Sequence, residues 1–120
     1  MANLNVFKFD TLGTSNNGQE ITASCMINPD AAFFKGHFDS MSIMPAIAQL
    51  LMVEELIKNS RWGCHISSVQ SCKFFDLIQP GQRVQILLTQ SGTDKINFRI
   101  EKDNQVFTKG IVLLPGNTSV

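Results

Sequence analysis

Apolar and polar residues alternate through much of Glu20-Ile21-Thr22-Ala23-Ser24-Cys25-Met26-Ile27, the period of a half-buried strand. A second strand-like run covers about Asn5 to Thr11, and the cluster Gly13-Thr14-Ser15-Asn16-Asn17-Gly18 between them reads as a turn. The two runs predict a hairpin with a longer loop. The period then changes. From Pro45 to Lys58, Ile47, Leu50, Leu51, Leu56 and Ile57 crowd most of a helical circumference, with Glu54, Glu55 and Lys58 only near the end. Ser42 or Met44 precedes this helix, Pro45 suits its first turn, and Asn59-Ser60 with Gly63 can end it. At 1.5 Å per residue the helix is roughly 21 Å long. So apolar a helix is expected to be wrapped by other structure.

Four further strand-like runs follow, Ile66 to Phe75, Gln82 to Thr89, Ile96 to Glu101 and Val106 to Leu114. Pro80-Gly81, Ser91-Gly92-Thr93-Asp94 and Asp103-Asn104 punctuate them, which predicts an antiparallel meander of four. Two strands, one helix and four strands make an α+β chain, an antiparallel sheet wrapped around one long central helix, and not alternating β-α-β units.

Length and charge narrow the function classes. The 120 residues suit one domain spanning 1–120. Ten basic residues balance ten acidic ones, so no bulk field draws in nucleic acid or an anionic membrane, although an acidic carrier protein can still use a local patch. Cys25, Cys64 and Cys72 lack any zinc-site spacing and read as reduced thiols filling a core, so no metal and no redox cofactor is expected. The first residues carry neither a basic nor an apolar leader region, and the longest apolar stretch, around Ala46 to Val53, is too short to span a bilayer. These features predict a soluble, cytoplasmic protein whose polar tail, Pro115 to Ser119, frays.

One segment carries chemistry. Phe33-Phe34-Lys35-Gly36-His37-Phe38-Asp39-Ser40-Met41-Ser42-Ile43-Met44-Pro45-Ala46 resembles the active-site stretch of the hot-dog 3-hydroxyacyl-[acyl-carrier-protein] dehydratases, roughly F-F-x-G-H-F-P-G-x-P-I-x-P-G leading into the central helix. Lys73-Phe74 with Pro80-Gly81 after it is similar to that family's K-F…P-G strand and turn, so the likeness spans about Asn17 to Leu114. Ala46-Ile47-Ala48-Gln49-Leu50 also resembles the helix start of dehydratase-like proteins from aryl-polyene pigment pathways.

The resemblance implies a hot-dog fold, a thioester of acyl carrier protein or coenzyme A as substrate, and a dimer with its acyl tunnel between subunits. It also implies elimination of water to a 2-enoyl product. That reaction needs a base for the C2 proton, an acid for the departing hydroxyl, and donors for the thioester oxygen. His37 suits the base, since imidazole titrates near neutral pH. The helix start at Pro45 and Ala46 suits the oxygen, through free N–H groups and the positive dipole end. Phe38, Gln49 and Leu51 complete the expected substrate contacts.

The acid is missing. The family places Glu or Asp fourteen positions after the His, and Leu51 stands there. Glu55, one turn on and about 40° around the helix, is the candidate replacement, with Asp39 beside His37 as another. A weakly active enzyme, a non-catalytic acyl-binding subunit of a hot-dog heterodimer, and an acyl thioesterase all stay open. Plainer readings stand alongside. Glu55 reads more readily as surface charge and His65 as a structural strand residue, while Gln49 suits a loop carbonyl as well as a substrate. Met41, Met44 and Met52 suit either a tunnel or ordinary core.

Overall fold

The computed structural model describes residues 7–15, 17–29 and 43–116. His37, Phe38, Asp39 and Met41 lie outside them. The described chain contains β1 (Phe9–Ser15), β2 (Glu20–Met26), α1 (Ala46–Lys58), β3 (Ser68–Phe74), β4 (Arg83–Gln90), β5 (Lys95–Lys102) and β6 (Gln105–Leu113). The strands form one antiparallel sheet in the order β1-β2-β4-β5-β6-β3.

Period-two alternation fixes which face is buried. One inward row reads Ile21, Leu88, Phe98, Gly110, Cys72 across β2, β4, β5, β6 and β3, and the next reads Ala23, Ile86, Ile100, Thr108 and, exposed at the open edge, Phe74. Onto this face α1 presses Ala48, Met52, Val53, Leu56 and Ile57, all buried. Met52, Val53, Leu56 and Ile57 each stabilise the fold by about 1.5–3 kcal/mol through removal from water. Phe98 fits because its partner is Gly110, where a Cβ would sit 2.8 Å from the ring and would collide with the Ser71 carbonyl.

Two expectations need correction. The last four strands are not a meander of four: β4-β5-β6 is a meander, but β3 pairs with β6 at the far edge while β2 takes the place beside β4. The Pro80-Gly81 turn explains this. Gly81, at φ 87°, donates its N–H to the Ile27 carbonyl, and Ile27 donates to Gln82, so the turn docks on the end of β2 and does not fold back on β3. The first strand is also displaced toward the C-terminus. Positive φ at Asn17 and Gly18 puts the tight turn there, and Gly13 to Ser15 belong to β1, after a bulge between Asp10 and Gly13. The Asp103-Asn104 hairpin stands as expected, both residues having positive φ.

The described residues cover the helix on one side only. Ile47 and Leu51, one turn apart, are 64% and 49% exposed, because a single sheet face reaches only one side of a cylinder.

Candidate functional site

The site is built from the N-terminal tip of α1. Pro45 is the N-cap, extended at φ −65° and ψ 157°; among the described residues no side chain caps the helix, and no acidic residue occupies its first turn. The helical ladder begins with the Gln49 N–H on the Pro45 carbonyl at 3.1 Å. The N–H groups of Ala46, Ile47 and Ala48 therefore have no acceptor within the helix. The tip is positive and faces an exposed surface at Ala46 and Ile47.

Two bonds fix its position. Met44 donates its N–H to the Ile78 carbonyl at 2.7 Å, tying the approach to α1 to the segment after β3. Gln49, 4% exposed, donates Nε2–H to the Met44 carbonyl at 3.2 Å and accepts the Thr108 hydroxyl at 2.6 Å. Thr108 is fully buried on β6 and opposes Phe74 of β3. The tip of α1 thus sits over the β6–β3 side of the sheet, beside its open edge.

The expected site residues separate into two groups. Pro45 and Ala46 form the tip, and Leu51 lies on the exposed side with Ile47. Gln49 points the opposite way, about 200° around the helix from Leu51, into the core. Glu55 is half-buried and accepts a 3.4 Å hydrogen bond from Asn59 Nδ2, while its neighbour Glu54 accepts the Ile66 N–H at 2.9 Å and anchors the approach to β3. His37 and Phe38 lie outside the described residues. Thr108 escaped the sequence reading, although a hydroxyl at an inward position of an apolar strand was a signal for a buried polar partner.

Burial pushes the thiols of Cys25 and Cys72 up, which makes each a poorer nucleophile, and the three cysteines form no disulfide. Among the described residues no three His, Cys, Asp or Glu side chains gather as metal ligands, and no helix is long and apolar enough to cross a membrane.

A model of the ApeI-like family, described as ApeI dehydratase, matches residues 13–111, from β1 into β6. The chain belongs to the ApeI-like dehydratase family. No curated protein sequence matches it. Among solved structures it is similar to the dehydratase heterocomplex ApeI:P from Xenorhabdus doucetiae, with 21% identity, 92% of this chain and 98% of that one covered, and a TM-score of 0.78. A similar match, at 21% identity and TM-score 0.74, covers 93% of this chain and 96% of an uncharacterized protein from Erwinia carotovora subsp. atroseptica. Zebra fish thioesterase superfamily member 2 is more distant, with 11% identity, 92% and 82% coverage and a TM-score of 0.58. The fold of this ApeI-like chain is therefore the α+β hot-dog fold, shared by dehydratases and thioesterases alike.

Proposed function

We propose that this chain binds acyl thioesters at the tip of α1 and, as a dimer, eliminates water from 3-hydroxyacyl thioesters with His37 as the base. The observation that carries the proposal is the helix start, which no described side chain caps. It offers N–H groups and a dipole end to an oxygen that gains charge, with the apolar pair Ile47 and Leu51 alongside for an acyl chain. Phe38 is proposed as a further substrate contact. Gln49 supports the tip through Met44, both of its bonded groups being engaged inside the chain. The substrate carrier is an acyl carrier protein or coenzyme A, and the compartment is the cytoplasm. No redox cofactor or metal takes part.

The second chain enters at β3. This edge strand exposes Val69 and Phe74, and Phe75 and Leu77 follow it, an apolar edge expected to pair with another chain. The partner is a second copy or a paralogue, the latter in keeping with the heterocomplex relative. Leu51 favours one alternative, a non-catalytic acyl-binding subunit, because leucine cannot protonate a leaving hydroxyl. Glu55 is the remaining helix carboxyl for that task.

One assay separates the readings. The protein is incubated with a 3-hydroxyacyl carrier-protein thioester, and enoyl formation and free thiol release are followed together. Enoyl product that vanishes in His37→Ala is expected. Thiol release alone identifies a thioesterase, and acyl binding without turnover identifies a binding subunit; either result overturns the dehydratase reading.

A further inference from the structure

On the sheet face turned away from α1, three cations oppose one another on adjacent strands. Arg99 of β5 pairs with Lys109 of β6, which pairs with Lys73 of β3. They line an open groove of about 450 Å³ with Ser71 and Asn97. Like charges directly opposite in a sheet are destabilising, and a chain with ten cations and ten anions has no general excess to distribute. Among the described residues Glu101, 3.1 Å from Arg99, is the one anion paired with the row, and Lys73 and Lys109 make no ion pair.

We infer that this groove docks an acidic helix of a partner protein. The spacing favours that occupant. Opposed Cβ atoms lie about 4.5–5.5 Å apart, and the Cβ atoms of acidic residues at positions i and i+4 of a helix lie about 5–6 Å apart. A helix laid across the strands therefore meets the three cations in turn. A small phosphate is disfavoured, because such sites converge backbone N–H groups, and those of β5 and β6 are committed to ladders on both sides. A second copy stacked on the same face would set cation against cation. This surface lies through the sheet from the α1 tip and does not depend on the proposed reaction.

The test uses fluorescence anisotropy on the intact protein, with a labelled synthetic helix bearing Glu at every fourth position. A peptide of the same composition with the Glu residues spread around the helix is the control. Saturable, salt-sensitive binding of the striped helix is expected, weakened about tenfold by Lys73→Gln with Lys109→Gln, the scale of two exposed ion pairs. Equal binding of the control peptide, binding indifferent to the double substitution, or equally tight binding of pyrophosphate or a single-stranded oligonucleotide would overturn the inference. Should the double variant unfold, amide shift mapping on the native chain decides: perturbation must centre on residues 97–99 and 109–111, and perturbation elsewhere sinks the proposal.

Discussion

Gln49 is where the sequence left two outcomes open, a substrate contact or a loop carbonyl, and its geometry gives it the Met44 carbonyl and the Thr108 hydroxyl. Periodicity could not decide this, since Gln49 and Leu51 both lie on a helix apolar nearly all round, and only the sheet's position says which side is inward. Replacing Gln49 by Leu leaves the Thr108 hydroxyl and the Met44 carbonyl without their partner in a buried place, an expected loss of about 1–3 kcal/mol in urea unfolding. Adding Thr108→Val should recover part of that loss, and a purely additive double-mutant cycle would show that the two side chains are not coupled. Asp10 makes a different prediction. The Ser24 hydroxyl at 2.6 Å, and then Arg83, hold its carboxyl below the ordinary carboxylate range. A depressed acid contributes stability above its unfolded pKa, near 3.9, and the contribution disappears as pH falls through the lower folded value. Asp10→Asn should therefore flatten the melting temperature against pH on the acid side of about pH 4. An unchanged acid slope would mean that the clamp joining β1 to β2 and β4 contributes nothing.

At the scale of elements, α1, β2 and the β5–β6 hairpin were legible because each rests on a local rule, the apolar period or an Asp-Asn turn. The order of strands was not, since β3's move to the far edge is decided by where the Pro80-Gly81 turn docks, a contact more than fifty residues long in sequence that begins at Ile27. The burial pattern of β3 fits its place: only Cys72 is partly covered, as an edge strand allows. Gly110 shows the same dependence on tertiary context. In sequence it interrupts a good strand, and in the fold it gives the Phe98 ring and the Ser71 carbonyl their room. Gly110→Ala should cost about 1–3 kcal/mol by overpacking, read as a lower melting temperature. Wild-type stability in that variant would show that β3 shifts freely on β6.

The whole molecule raises the question of which chain completes the site. The α1 tip lies over the β6–β3 side of the sheet, the side where a second chain is expected, and one face of the helix, Ile47 and Leu51, has no cover from its own sheet. In the dimer proposed here, the family resemblance implies that His37 of one subunit works against the helix tip of the other. Two inactive variants test that arrangement. His37→Ala removes the base, and Ala46→Pro removes one tip N–H at a helix position that tolerates proline, with Pro45 already in the extended conformation that a following proline requires. Ala46→Pro should fold normally and lose about 10²–10³ in turnover if its N–H holds the thioester oxygen. Mixed and reassembled, the two variants form hybrid dimers in which one site carries both lesions and the other carries neither. Random assembly makes half the dimers hybrid with one of two sites intact, so about a quarter of wild-type enoyl formation should return in a two-fold dimer. A site contained within one subunit gives no recovery, because every subunit in the mixture then carries a lesion, and that result would move the proposed chemistry away from the subunit boundary.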